Sequence, residues 1–337
     1  MNAVAVEQTQ SGLAAFLAKE WGTHVEIENL SLASAGARRH NVLFDALRGG
    51  ERIPLVATII PSAVLQLSPM EVEAAHLRFA EAAGMPAPHV HAVCEDASYL
   101  AGPFFVTARV AGETIPRQVL RLVEKDPALG PRLARQCGDA LAKLHGADPA
   151  GAHPRTVRPA GDPIEAALRS VELLVHGLLQ PSPAFTLALR ALERERPPPP
   201  ARLAVVHGDF RNGNLIVDPS GLRAALDWEI CHVGDPMEDL GWLCQRMWRF
   251  RSDALEVGGF GARADLVAGY EAAGGRFEPA RFHWWKTMST LRWGLGLAGQ
   301  AKAHLDGTVP GVVMAASGRR VAELEWDVLM LLRRSFA

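Results

Sequence analysis

A chain of 337 residues exceeds one small domain and suits two, at roughly 100 to 200 residues each. Its 48% hydrophobic and 21% charged residues are globular proportions, which excludes wholesale disorder. Thirty-five basic against thirty-seven acidic residues leave a net charge of -2, so no global field draws in nucleic acid or an anionic membrane.

Residues 1–10 show no basic start before an apolar core, and no stretch reaches the ~18 apolar residues of a membrane span. Ser11 then precedes the apolar-periodic run Leu13, Phe16 and Leu17, which predicts a short amphipathic helix with a serine cap. Residues 25–32 alternate as a strand, 33–39 are small and turn-like, and 41–46 resume a strand. Gly49-Gly50 turns into the β-branched run 53–60, and together these strands predict an antiparallel meander. Residues 69–84 become helical, with Gly84 as the stop, and strands are expected at 90–94 and 103–110. Beyond Gly112 the chain turns helical over 133–145, 163–179 and 183–196, and Pro197 to Pro200 form a stiff connector.

The fold class expected is α+β: a sheet lobe with one long helix over residues 1–112, then a mainly helical lobe over 113–337. The four cysteines, Cys94, Cys137, Cys231 and Cys244, lack CxxC spacing, so neither a disulfide framework nor a zinc cluster is expected. A cytoplasmic protein with no membrane or nucleic-acid partner fits these features.

The informative stretch is residues 205–239, VVHGDFRNGNLIVDPSGLRAALDWEICHVGDPMEDL. Residues 203–206 read as a buried strand and 207–213 as a polar loop. Asp218-Pro219-Ser220-Gly221 is a turn that should pair 215–217 with 222–226 as a hairpin. A hairpin sets the entry of its first strand beside the exit of its second, which brings Asn214 next to Asp227. An amide oxygen and a carboxylate held together suit Mg²⁺. Asp209, five residues before Asn214, then sits close enough to orient a hydroxyl nucleophile, an arrangement suited to phosphoryl transfer.

This stretch resembles the aminoglycoside phosphotransferase family, which has a bilobal protein-kinase-like fold. The family's HxDxxxxN loop is matched by His207, Asp209 and Asn214, and its metal-binding aspartate by Asp227 in Asp227-Trp228-Glu229. The resemblance implies Asp209 as catalytic base, Asn214 and Asp227 as Mg²⁺ ligands, and His207 as a brace in the catalytic loop 207–214. It implies a nucleoside triphosphate, ATP or GTP, as co-substrate. Asp235 and Asp239 match the GDPxxDL stretch that supports the loop; otherwise they are a turn residue and a first-turn acid of a helix. Upstream, Glu73 matches the family's helix glutamate, and 103–106 followed by Gly112 match the strand leading to the hinge. That match would turn the backbone of Ala108 and Val110 toward the adenine, with the hinge near 107–112.

The sequence departs from the family where a strand Lys or Arg should hold the nucleotide phosphates and pair with the helix glutamate. That position falls on Thr58, and Lys19, Lys125, Lys143, Lys286 and Lys302 all lie off the first-lobe strands. Arg38 and Arg39, in the turn that corresponds to the phosphate-covering loop, are the nearest substitutes; otherwise they are two solvated turn arginines. Gly36 is the only glycine in that turn. These departures keep open a kinase-like binding module that has lost turnover, although Asp209, Asn214 and Asp227 together argue for catalysis. Gly294, Gly296 and Gly299 spell GxGxxG without a strand before them, so they read as close helix packing rather than a dinucleotide site.

For the acceptor, residues 262–337 carry ten basic and seven acidic side chains, which offers no acidic wall for a polycationic aminoglycoside. Trp284, Trp285, Trp293 and Trp326 lie in the same stretch, and those facing the cleft would favour an apolar or flat acceptor. The acceptor expected is a small hydroxylated molecule of apolar or acidic character. A hydroxyacid or hydroxyacyl thioester is suggested by similarity to the phosphotransferase domains found with acyl-CoA dehydrogenases. An aminoglycoside or other antibiotic is the alternative, and the oligomeric state is left open.

Overall fold

In the computed structural model, which describes residues 3–33, 39–61 and 67–333, helix α1 (Ala3–Trp21) buries Leu13, Phe16 and Leu17 against a sheet. The helix starts well before Ser11, which is therefore not its cap. Residues 3–10 contain no glycine or proline to interrupt it, so the serine is carried inside.

Strands β1 (Glu26–Leu32), β2 (His40–Arg48) and β3 (Glu51–Ile59) follow as a meander. Helix α2 (Met70–Ala82) intervenes before β4 (Val90–Cys94) and β5 (Phe104–Ala108). The sheet order is β1-β2-β3-β5-β4, antiparallel throughout, so the last strand inserts between β3 and β4. Phe16 meets Phe104 edge-on at 4.8 Å between ring centroids, which centres the smaller of two hydrophobic cores on the α1 face of the sheet. The other side of this region joins the larger core: Met70, Ala74 and Leu77 of α2 cluster with Leu133, Cys137 and Leu141 of the next lobe.

Gly112 follows β5 with φ 143°, and a Cβ there would meet Ile216 Cγ2 at 2.6 Å. That closeness lets Glu113 and Val217 exchange backbone hydrogen bonds of 2.7 and 3.0 Å, which straps the linker to the hairpin described below. The helices α3 (Pro116–Lys125), α4 (Leu129–Gly146), α5 (Pro163–His176) and α6 (Pro183–Arg194) come next. Of these α3 escapes sequence reading, because Val119 is its only buried side chain and its apolar stripe is thin. Asp162 and Ser182 cap α5 and α6 by accepting from the backbone of Ile164 and Phe185, each with proline as the first helical residue.

Strand β6 (Ala204–Val206) pairs with β9 (His232–Gly234), and β7 (Leu215–Asp218) with β8 (Gly221–Ala225). The sequence reading missed β9, whose three residues are too short to show a period. Helices α7 (Met237–Leu243), α8 (Arg263–Ala272), α9 (Pro279–Leu305), α10 (Val312–Gly318) and α11 (Val321–Leu332) complete the lobe. The GxGxxG glycines lie inside α9. A Cβ on Gly294 would sit 2.5 Å from Phe185 and 3.0 Å from Leu324, so that glycine serves close approach of α6 and α11. All four cysteines are buried and unbridged. No helix among the described residues is long and apolar enough to cross a membrane. The architecture is an antiparallel-sheet lobe followed by a helical lobe.

Candidate active site

The β7–β8 hairpin sets the geometry of the site. Its turn is closed by Asp218, whose carboxylate accepts from Ser220 N at 2.7 Å, and the ladder extends past the strands through Leu226 N to Asn214 O at 2.8 Å. Asn214 and Asp227 therefore stand side by side at the open end. Asp227 holds φ 68°, a left-handed conformation unusual for a residue with a side chain and found disproportionately at functional positions.

Across from that pair, Asp209 receives Asn214 Nδ2 at 2.6 Å on Oδ2. Its other oxygen takes Arg211 Nε at 2.9 Å and Trp242 Nε1 at 2.8 Å. Oδ1 is thus filled by two donors, whereas Oδ2 keeps a lone pair for a further hydrogen. Burial pushes the Asp209 carboxyl above its ordinary value, with Arg211 opposing the shift. Arg211 and Trp242 were not anticipated from sequence. Trp242 could have been found from its spacing, because it lies three residues after Asp239 on the same face of α7.

The loop is held from below and from the side. Asp239 is fully buried at the start of α7 and accepts from the backbone N–H groups of His207 and Gly208, both at 2.8 Å. His145 Nε2 lies 3.1 Å from the same carboxylate, and its Nδ1 lies 3.0 Å from the Tyr270 hydroxyl. Gly208 turns with φ 81°, and a Cβ there would sit 2.8 Å from Ile230 O. His207 Nδ1 accepts from Asp209 N at 3.2 Å, which leaves Nε2–H to donate to Leu226 O at 3.1 Å. One neutral ring thereby ties the loop to the hairpin exit, and burial lowers its pKa in keeping with that form. Asp235 accepts from Met237 N and from Arg281, both at 2.9 Å, and anchors α9 to the same region.

Arg39 sits among three carboxylates beside the hairpin exit. Its guanidinium makes two parallel bonds of 2.7 and 2.9 Å to Glu73, a third of 2.7 Å to Glu229, and lies 3.4 Å from Asp227 Oδ1. Burial alone would lower the Arg39 pKa, but Glu73, Asp227 and Glu229 outweigh it and raise it. Burial pushes Glu73 up, and the paired guanidinium restrains it in the carboxylate form that a two-bond fork requires. Thr58, where the strand cation was expected, is buried and donates its hydroxyl to Asn41 Oδ1 at 2.9 Å. The helix glutamate is met from the turn before β2 instead of from β3. Arg38 lies outside the described residues. The Ala108 N–H is taken by His89 O at 2.8 Å and is therefore not available to a ligand. Glu229 is a further residue that sequence reasoning passed over, although it closes the Asp227-Trp228-Glu229 segment.

Asn214 and Asp227 present the hard oxygens that a divalent cation takes. Asp227 Oδ1 is buried and makes no hydrogen bond among the described residues, with only the Arg39 guanidinium at ion-pair distance, 3.4 Å, so it keeps lone pairs that a bound cation could take. On the opposite side of Asp209 lies an aromatic group: Trp242, Trp248 and Trp293 meet at 5.1 to 6.0 Å between centroids, and Arg211 stacks on Trp248 at 4.6 Å. Trp284 and Trp285 are buried core residues, and Trp326 is exposed on α11. The positive balance of residues 262–337 is offset by acids from elsewhere, since Arg281, Lys286 and Arg292 pair with Asp235, Glu256 and Glu238.

Comparison with known proteins bears on the fold and the family. Over 297 residues the chain is 27% identical to acyl-CoA dehydrogenase family member 10 of Mus musculus, covering 80% of this chain and 26% of that protein. The chain thus spans about a quarter of that curated relative. Its fold matches macrolide 2'-phosphotransferase type I with a TM-score of 0.62 at 19% identity, covering 92% of this chain and 96% of that one. It also matches a thermostable mutant of aminoglycoside phosphotransferase APH(4)-Ia in ternary complex with ADP and hygromycin B, with a TM-score of 0.63 at 18% identity and coverage of 96% and 98%. Residues 29–284, well over half of the chain, match the model of the phosphotransferase enzyme family, and the chain belongs to that family.

Proposed function

We propose that the chain transfers the γ-phosphate of a nucleoside triphosphate to a hydroxyl group of a small acceptor, with Asp209 as base and a Mg²⁺ ion held by Asn214 and Asp227. The observation that carries this reading is the convergence of Asp209, Asn214 and Asp227 at the open end of one hairpin, with the free lone pair of Asp209 Oδ2 available to an acceptor hydroxyl. In the step envisaged, the acceptor oxygen forms a bond to the γ-phosphorus, the bond from that phosphorus to the β–γ bridging oxygen breaks, and the hydroxyl proton passes to Oδ2. The nucleoside diphosphate leaves with the bridging oxygen. The bound ion would neutralise phosphate charge. Asn214 and Asp239 position the base and its loop, and His207 keeps that loop against the hairpin.

On the nucleotide side, residues 1–112 are read as the nucleotide-binding lobe, with Arg39 as the cation that replaces the missing strand Lys or Arg. The Arg39–Glu73 fork supports an enzyme over a binding module, because it restores the pairing whose absence at Thr58 raised the doubt. The hinge near 107–112, with the backbone of Ala108 and Val110, is read as the place of the purine; with the Ala108 N–H engaged by His89 O, only its carbonyl could take part. Neighbours of this fold were solved with ADP and with GDP, which supports a purine nucleotide and leaves ATP and GTP both open.

For the acceptor, Trp293, the partly exposed member of the tryptophan group beside Asp209, favours apolar or flat character, while Trp242 and Trp248 are buried behind it; a hydroxyacid or hydroxyacyl thioester is the reading preferred. The acyl-CoA dehydrogenase name of the mouse relative supports it, through the quarter of that protein that is shared. Two measurements test the proposal. AMP-PNP should raise the melting temperature only with Mg²⁺ present, and Asp227→Ala should weaken that response; its absence in the parent chain would overturn the enzyme reading. Turnover should be higher on a panel of hydroxyacids and their thioesters than on aminoglycosides, and the reverse order would overturn the acceptor class.

A further inference from the structure

A cavity of about 560 Å³ lies beside the catalytic loop, and none of its lining residues takes part in the phosphoryl-transfer constellation. Four arginines line it, Arg117, Arg246, Arg251 and Arg320, with Asp253, Glu323 and Asp327 among them. It adjoins the site at two walls. Pro116 borders it and lies against Gly213, where an added Cβ would meet the proline ring at 3.4 Å. Met247 borders it and precedes Trp248, on which Arg211 stacks.

The charges do not cancel. Arg246 reaches Asp253 at 3.1 Å and Asp327 at 3.2 Å, and Arg320 reaches Glu323 at 3.5 Å, which uses all three acids. Arg117 and Arg251 have no acid within ion-pair distance among the described residues, and both are exposed at the cavity. The backbone there is also unusual. Phe250 and Arg251 hold φ 48° and 75° in succession, a left-handed pair that side-chain-bearing residues adopt only where the surroundings impose it. Arg249 braces the turn by donating to Cys244 O and Asp253 O.

We propose that this cavity seats a phosphate-bearing end of the acceptor, held by Arg117 and Arg251, while the acceptor's hydroxyl lies at Asp209; the inference rests on the phosphotransferase reading above. A single carboxylate is satisfied by one guanidinium fork. Two uncompensated guanidiniums on separate segments instead suit a group of nearly two negative charges with three terminal oxygens, which is a phosphate ester. The volume is that of a small-molecule site and is more than one carboxylate fills. The same arginines would repel a polycation.

The test titrates the full chain, saturated with Mg²⁺ and AMP-PNP, with phenyl phosphate and separately with the dicarboxylate phthalate. Phenyl phosphate should bind saturably and lose affinity as salt rises. Arg117→Gln and Arg251→Asn together should weaken it about tenfold or more, from two lost charge-assisted contacts. AMP-PNP affinity and melting temperature should be unchanged, and asparagine tolerates the left-handed backbone at 251. No saturable binding, equal binding of phthalate, or insensitivity to both substitutions would each overturn the proposal. The nucleotide titration judges the kinase reading separately: if AMP-PNP does not bind, that reading fails, whereas the arginine dependence of phenyl phosphate binding still decides the cavity.

Discussion

Arg39 is the most consequential side chain that the site adds to the sequence motif, and Arg39→Ala isolates its contribution. The guanidinium is 13% exposed and its partner Glu73 only 1%, so the substitution deletes a two-bond fork and strands a buried carboxyl. Breaking one partner of a buried pair costs ~3–5 kcal/mol when the other stays charged. Glu73 can escape part of that by taking up a proton, which burial already favours, so we expect the lower end, about 3 kcal/mol. Glu73→Gln alone leaves Arg39 on Glu229 at 2.7 Å and near Asp227, and should cost about 1–2 kcal/mol. The double variant removes both charges, so its cost should fall short of the sum by about 2 kcal/mol. Urea unfolding at neutral pH, followed by tryptophan fluorescence, measures all three, and AMP-PNP titration reads the nucleotide side in the same samples. If Arg39→Ala costs under ~1 kcal/mol, or if the two single changes simply add, Glu73 does not depend on Arg39 and the reasoning fails.

Asp209→Asn should lower turnover by ~10²–10⁴-fold through loss of the base. A carboxyl whose folded pKa is raised adds stability only below its unfolded value and loses it as pH rises, so in metal-free buffer near pH 7 scanning calorimetry should find the asparagine variant melting higher. Trp242→Phe removes the N–H donor from Asp209 Oδ1, which should move the acid limb of the kcat/KM profile to higher pH, and an unmoved limb would contradict the role. His76 is buried against Trp228 O and Thr156, and burial lowers its pKa to about 4. Its stabilising contribution is complete above pH 6.5 and lost as pH falls toward 4, by at most ~3 kcal/mol, so His76→Gln should flatten that part of a pH–stability curve. Gly138→Ala would drive a Cβ to 2.1 Å from Leu266 O and 2.6 Å from Tyr270 N, and should cost ~3 kcal/mol or more by prying α4 from α8 in the same urea assay.

The parts of the fold legible in the sequence were those with a strong local signal. The Asp218 to Gly221 turn announced the β7–β8 hairpin, and the β-branched run 53–60 behind the Gly49-Gly50 turn announced β3. The helices expected over 163–179 and 183–196 appear as α5 and α6. What escaped had little local signal: α3 with one buried side chain, β9 with three residues, and an α1 that runs through its expected cap. At the site, Asn214 beside Asp227 followed from hairpin geometry alone, because pairing register is a local property. Arg39 could be named only as one of two candidates to meet Glu73, since 34 positions separate them and only the fold brings residue 39 to α2. The charge count over residues 262–337 misled in the same way. It scored Arg281, Lys286 and Arg292 as free when acids at 235, 256 and 238 neutralise them, and it overlooked Arg117 and Arg251, which lie outside that window.

With Arg39 read as the replacement cation, its placement accounts for a β3 that carries none at residue 58. Three carboxylates, Glu73, Asp227 and Glu229, converge on one point from α2 and the hairpin exit, and such a cluster needs a counter-charge wherever it comes from. A lysine at 39 would bring one ammonium, a compact point charge that cannot form a planar fork on Glu73 while also bonding Glu229. A guanidinium does both, because its five donors are fixed in a plane that meets two acids along different edges. With that requirement met from the turn before β2, residue 58 is released from carrying charge, and a threonine that hydrogen-bonds within the sheet can fill it. What the chemistry constrains is the position of the positive charge in space, and the strand from which it is supplied is free to change.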